Sequence, residues 1–285
     1  MITYTLADRL LDHGRFSHIN RVLEMQDLVS VNAQMRLGLD QRVSQFTRTG
    51  KAGELFDTDL RWADNFNPSD EELAVYDRYD AVIAIARREQ SMLEKHLRHA
   101  RVEWIPMHIQ PVKIDNSYES PPIFLASGNR FNQVGLLLLL TEVLDRVRAK
   151  CPDFQLDIAG DILQFAIPTK AVRYLGYIPN LADICGKAAF AVCPVFSGTG
   201  QQIKLIEAMA HGLPVVAFRR AAAESPLRHG ETGLVAENVD EFAMHLIALW
   251  RNRDLCRRLG NAARALMDKP DSTTTALSGL FPNLI

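Results

Sequence analysis

From Ile123 to Met267 the chain alternates short apolar runs with stretches of helical period, and no other feature restricts its fold as much. The runs Ile123–Ala126, Phe154–Ala159, Val172–Leu175, Phe190–Val195 and Pro214–Phe218 are largely aliphatic, as strands buried on both faces must be. Helical patterns occupy Asn132–Lys150, Leu181–Lys187, Ile203–Ala210, Asp240–Asn252 and Asp254–Met267, and Gly212 stops the third of them. Strands that alternate with helices predict an α/β fold with a doubly wound parallel sheet. Ligands of such sheets gather outside the carboxyl ends of the strands.

A shorter version of the same rhythm lies upstream. Ser69-Asp70-Glu71-Glu72 reads as a capping box that opens a helix through Tyr76. Ala81–Ile85 reads as a buried strand, Arg87–His96 as a helix, and Val102–Ile105 as a strand closed by Pro106. That is half of an α/β sandwich. Asn32–Phe46 has helical character within a locally basic segment that carries Arg36, Arg42, Arg48 and Lys51. Residues 107–121 are polar and proline-bearing, as interdomain linkers are. The expected division is a partial Rossmann-like domain over 1–110, a linker over 111–121, a complete domain over 122–267 and a tail over 268–285.

Composition removes several functions. A net charge of −2 offers no basic field for nucleic acid. The four cysteines, Cys151, Cys185, Cys193 and Cys256, form no C-x-x-C pair and have no histidines at metal-ligand spacing. They read as buried free thiols, and no metal is expected. Asp8, Arg9 and Asp12 interrupt the first apolar stretch, and the longest apolar run, Leu136–Leu140, is far short of the about 20 residues that span a bilayer. A cytoplasmic protein is expected, with peripheral contact at the inner face of the membrane left open.

The segment Phe196–Val216, FSGTGQQIKLIEAMAHGLPVV, carries the chemistry. Gly198 and Gly200 stand between a buried strand and a helix, where bare amides and the positive helix end can receive a phosphate. A plain strand-to-helix turn uses glycines too. Lys204 and Glu207 share one helix face. Lys204 can neutralise a phosphate, and Glu207 can accept hydrogen bonds from vicinal hydroxyls. The same two residues could also form a solvated pair. His211, before Gly212, reads as a cap for carbonyls.

GTGQQIKLIEAMAHGLPVVA resembles the donor-binding signature of retaining GT-B glycosyltransferases. RYLGYIPNLADICGKAAFAVCPV, FLASGNRFNQVGLLLLLTEVLDRV and HGETGLVAENVDEFAMHLIALWRN resemble the neighbouring parts of the same domain, in the family's order, over about 122–267. YDRYDAVIAIARREQSMLEKHL resembles the end of the family's amino-terminal domain. The resemblance implies two Rossmann-like domains, the first incomplete here. It implies a hexosyltransferase-type enzyme that moves a sugar from a UDP- or GDP-type donor to a glycan or lipid-linked acceptor, with retention and without a metal. Polysaccharide or glycan biosynthesis is the family-level setting. Glu207 would hold the donor ribose. Lys204 and the Gly198, Thr199, Gly200 and Gln201 loop would hold the diphosphate and lie near the sugar. Gly128, Asn129 and Arg130 would approach the phosphates from the opposite side, and Tyr177 and Ile178 would line the base slot. Lys204 and Glu207 are the catalytic candidates.

Three departures stand out. The first carboxylate of the family's Glu-x7-Glu motif falls on Thr199. Gln26 stands where many members have a histidine. The family's opening strand and glycine loop are not visible upstream, and an uncovered sheet edge left by their loss would favour a homo-oligomer. A nucleotide-sugar-binding module or partner subunit without catalysis remains an alternative. Sugar-nucleotide 2-epimerases share the architecture, but no acid–base set for them can be placed. A dinucleotide site is disfavoured because Ile203 occupies the third glycine position.

Overall fold

The structure, a computed structural model, describes residues 20–49 and 65–268. The amino-terminal stretch through Asp12, Lys51 and nearly all of the expected tail lie outside the described residues.

Two parallel sheets organise the described chain. The first has strands β1 (Val22–Met25), β2 (Ala81–Ala84) and β3 (Arg101–Trp104), in the order β1-β2-β3. Helices α1 (Val29–Thr49), α2 (Asp70–Tyr76) and α3 (Arg87–His96) connect or flank them. Every residue of β2 is buried, which explains its unbroken Ala-Val-Ile-Ala run. β1 was not assigned from the sequence. Its Glu24 is exposed and the strand is only partly buried, so it presents no apolar run.

The second sheet has six strands in the order β6-β5-β4-β7-β8-β9. They are β4 (Ile123–Leu125), β5 (Leu156–Ala159), β6 (Val172–Gly176), β7 (Ala191–Cys193), β8 (Val215–Phe218) and β9 (Gly233–Ala236). Around them lie α4 (Arg130–Leu138), α5 (Leu144–Lys150), α6 (Leu181–Cys185), α7 (Ile203–Ala210), α8 (Arg219–Ala223), α9 (Val239–Arg251) and α10 (Arg253–Met267). A π-helical turn, Leu139–Val143, joins α4 to α5, so the single helix expected over Asn132–Lys150 runs on through that turn. The strand order is the doubly wound one, with its switch point between β4 and β7. This confirms the expected α/β class with parallel sheets.

Gly160 shows how tightly the loops are drawn at the carboxyl edge. Its φ is +119°, and a Cβ there would lie 1.9 Å from the Ala126 carbonyl oxygen. Its amide meanwhile donates to Gly176 O at 2.7 Å. Only glycine fits this turn beside the switch point.

The polar stretch read as a linker is fastened to the second sheet's domain. Asn116 Nδ2 donates to the carbonyls of Cys185 and His211, and the buried Tyr118 hydroxyl donates to Gly212 O at 2.9 Å. Arg264 Nη1 donates to Ile114 O at 2.7 Å. Helix α1 reaches across both domains. Leu28, Val31 and Met35 belong to the core of the first sheet, and Leu39 joins the core of the second.

Candidate functional site

A cavity of about 240 Å³ opens at the switch point. Ser127, Asn129 and Asn132 reach it from the loop and helix after β4, and Gly198, Thr199, Gln202 and Lys204 reach it from the loop and helix after β7. Asp27 and Asn32 close it from the first domain.

The loop after β7 turns as its glycines require, with Gly198 at φ +115°. Helix α7 begins at Ile203, and Gln202, at its N-cap, makes no side-chain cap. The loop amides are engaged across the domain boundary. Gly198 N donates to Met35 Sδ at 3.3 Å, and Gly200 N donates to Asp27 Oδ1 at 3.0 Å. Thr199 is buried, and its hydroxyl accepts from Leu28 N at 3.2 Å and lies 3.4 Å from Asp27 Oδ1. Gln201 accepts from Met107 N at 2.7 Å and donates to Glu224 O at 2.9 Å, so its amide ties the two domains together.

Lys204 lines the cavity and pairs with Glu207 Oε2 at 2.8 Å. The lysine side chain is 50% exposed and the glutamate 24%, so the ammonium stays accessible while the carboxylate is half-buried. The expected one-face pairing is present, although Glu207 itself is not among the cavity-lining residues. His211 sits as expected, with Nδ1 at 2.7 Å from the Glu207 carbonyl oxygen.

The opposite loop is built by local bonds. Asn129 is the N-cap of α4, accepting from Asn132 N at 2.9 Å and donating to Ser127 Oγ at 2.9 Å. That cap starts the helix two residues before the sequence reading placed it. Gly128 N donates to Asp161 Oδ1 at 2.7 Å. Arg130 forms an ion pair with Asp40 of α1 at 2.6 Å and does not line the cavity. Tyr177 is 79% exposed beyond the end of β6, and Ile178 packs partly against the core. The structure thus gathers Asn129, Gly198, Thr199, Gln201 and Lys204 at one cavity. Gly128, Arg130, Tyr177, Ile178, Gly200 and Glu207 lie outside its lining.

Sequence reasoning passed over three polar residues. Asp27 borders the cavity, and desolvation behind its open face raises its carboxyl pKa against the hydrogen bonds from Asn32, Gly200 and Thr199. Asn32 is 6% exposed, and its Oδ1 has no hydrogen-bond partner. Glu89 of α3 is fully buried, with Oε1 accepting from Leu28 N at 3.2 Å and Oε2 unpartnered. Burial pushes the Glu89 carboxyl up to about 8, opposed by its Thr199 and Leu28 hydrogen bonds and reinforced by the charges of Asp27 and Glu224. The sequence offered one signal, the Gln26-Asp27 step beside the position where a histidine was expected.

Among the described residues no group of three or more His, Cys, Asp and Glu side chains could hold a metal ion. No described helix is long and apolar enough to cross a membrane.

Residues 121–252 match the family model described as glycosyl transferases group 1. An uncharacterized 44.6 kDa protein in the cps region of Klebsiella pneumoniae is 25% identical over 62% of this chain and 50% of its own length. An uncharacterized glycosyltransferase of Haemophilus influenzae is 24% identical over 66% of this chain and 57% of its own. The chain therefore spans little more than half the length of the curated relatives it matches. Among solved structures, HepE from Anabaena in complex with UDP covers 98% of this chain and 82% of its own, with a TM-score of 0.59 and 14% identity. The sucrose-phosphate synthase of Thermosynechococcus elongatus covers 97% and 77%, with a TM-score of 0.61 and 16% identity. The family model matches the six-stranded domain, and the two parallel sheets share the fold of these solved structures.

Proposed function

We propose that this chain binds a nucleoside-diphosphate sugar at the switch-point cavity and transfers the sugar to an acceptor hydroxyl with retention of configuration. One observation carries the reading. Lys204, at the start of α7, and the glycine loop before it face the loop after β4 across a cavity at the carboxyl ends of β4 and β7. Departure of the diphosphate places new negative charge on the leaving oxygens. An ammonium and a helix start fixed beside them would lower that barrier by preorganised electrostatics.

Glu207 holds Lys204 in place and, on this reading, turns toward the ribose when the donor enters. A free Lys204 rotamer and the Gly198 and Gly200 amides would then meet the diphosphate, exchanging their present partners Asp27 and Met35 for phosphate oxygens. The proposed donor is of UDP or GDP type, and the HepE–UDP complex on the same fold supports UDP. The cps-region relative supports polysaccharide assembly, with a glycan or lipid-linked acceptor.

A thermal-shift panel of UDP, GDP, ADP and TDP tests the binding step, and one selective stabilisation identifies the base. Lys204→Ala should weaken the preferred diphosphate about tenfold or more, as loss of a charge-assisted contact does. Unchanged affinity would remove Lys204 from the site. Diphosphate binding without transfer to any acceptor would favour the binding-module alternative.

A further inference from the structure

A second recess, of about 590 Å³, lies at the amino ends of the first sheet's strands. The parallel register sets Val22, Ala81 and Arg101 side by side there. Arg21, the turn from Asp77 to Asp80 and the approach to β3 therefore meet at one edge. The switch-point cavity lies at the other end, since its wall residue Asp27 follows β1 and Arg21 precedes it. The four residues of β1 put about 13 Å of strand between the two edges.

Three guanidinium groups line this recess, those of Arg21, Arg78 and Arg101, with the His99 imidazole beside them. Two carboxylates lie there as well, but the main chain takes them up. Asp77 Oδ1 accepts from Arg98 N, His99 N and Ala100 N at 2.8, 2.7 and 3.1 Å. Asp80 Oδ2 accepts from Arg21 N at 2.7 Å, whereas its contact with Arg21 Nε is 3.5 Å long. Tyr79 lines the recess while its ring belongs to the core of the first sheet. Burial raises its phenol pKa against the charges of Arg78 and Arg21, so the hydroxyl keeps its proton and can donate.

We propose that this edge is a second anion site, which takes a phosphate group carried by a molecule other than the nucleotide donor. Guanidinium forks match phosphate oxygens, and a phosphate brings three oxygens and about two negative charges to three arginines. The arginines come from three separate segments of the chain, so the fold assembles the cluster and no single basic run does. A cation is the poorer match. The guanidiniums repel it, both carboxylates already hold backbone amides, and no metal cluster exists here among the described residues. The strand length between the edges keeps the site apart from a diphosphate held beside Lys204. The assignment holds whether or not the switch-point cavity takes a nucleotide. A phosphorylated solute and a phospholipid headgroup offer the same chemistry to an open recess.

Titration of the full chain with inorganic phosphate at constant ionic strength, against chloride, tests the site. In the unmodified protein phosphate should slow amide hydrogen exchange in the segments 77–80 and 98–101, a readout that needs no variant to fold. By phosphorus NMR, Arg101→Ala and Arg78→Ala should each weaken phosphate about tenfold. Arg101→Lys keeps the charge without the fork and should fall between. Lys204→Ala should leave the exchange response at 98–101 unchanged. Sedimentation with phosphatidylglycerol vesicles, against phosphatidylcholine vesicles, identifies the source of the phosphate. Retention that drops about fivefold in Arg101→Ala assigns the site to a lipid headgroup. Phosphate binding without retention assigns it to a phosphorylated solute. Binding of phosphate and vesicles that survives both Arg78→Ala and Arg101→Ala, or no binding of either by the unmodified protein, overturns the site.

Discussion

Glu89 concentrates the residue-scale physics of this molecule. It is a carboxyl sealed between the domains, with one oxygen on Leu28 N, the other unpartnered, and Asp27 close enough to oppose its charge. Its folded pKa of about 8 stands far above the 4.5 ordinary for a glutamate carboxyl, so the folded state keeps a proton that the unfolded chain has released. Between those two values stability therefore falls as pH rises, and the loss levels off above the folded pKa. Glu89→Gln removes the ionisation and keeps an acceptor for Leu28 N. Urea unfolding at pH 5 and pH 8.5 should show the unmodified protein losing on the order of 2–4 kcal/mol relative to the variant. Parallel behaviour of the two proteins would mean that Glu89 is solvated in the folded state. None of this was legible in the sequence. A glutamate on a helix with Arg87, Arg88 and Gln90 around it reads as solvated, and its burial is decided by Leu28 and Thr199, which are remote in the chain.

At the scale of elements, the sequence showed where secondary structure forms and missed what ties its ends. Helix α3 falls on Arg87–His96 and α7 on Ile203–Ala210, as expected, because apolar period and Gly212 are local signals. The capping box was half right. Ser69 Oγ accepts from Glu72 N at 3.3 Å, but the Glu72 carboxylate does not return to Ser69. It crosses instead to α1, where it accepts from Val29 N, Ser30 N and the Ser30 hydroxyl, while Tyr76 OH donates to it at 2.7 Å. Ser69 N turns to Ser30 Oγ at 2.9 Å. α2 thus caps α1, and no local pattern could reveal a bond between residues 43 apart. Glu72→Ala strips these partners at once and should cost about 2–3 kcal/mol, with Glu72→Gln recovering part of it. Equilibrium denaturation of both variants measures this. A loss confined to a few tenths would show that water replaces the carboxylate at no cost. The site was legible to a similar degree. Lys204 and the glycine loop were found through motif spacing, whereas Asn129 was assigned to a ligand although its side-chain oxygen caps α4.

The whole molecule is held by polar contacts that reach backbone groups across the domain boundary. Helix α3 begins at Arg87 after Ala86, which has no side chain to cap it. The cap comes from the other domain. Glu224, just beyond α8, accepts from Arg87 N at 2.8 Å and from Arg88 N at 3.3 Å. A carboxylate at a helix start is favoured by the exposed amides and by the helix dipole. Gln201 extends the clasp, taking Met107 N with its oxygen and giving Nε2 to Glu224 O. The loop that borders the cavity and the segment that caps α3 are therefore one connected unit, and opening the cavity toward the first domain requires breaking it. Glu224→Ala should cost about 1–2 kcal/mol of the folded state. The same change should enlarge the radius of gyration seen by solution scattering and speed dissociation of a bound nucleoside diphosphate, because separated domains release ligand faster. Glu224→Gln, which keeps one acceptor, should fall between. Scattering curves and dissociation rates that coincide for Glu224→Ala and the unmodified protein would place the hold between the domains elsewhere, on the apolar face of α1 that packs Val31, Met35 and Leu39 into the two cores.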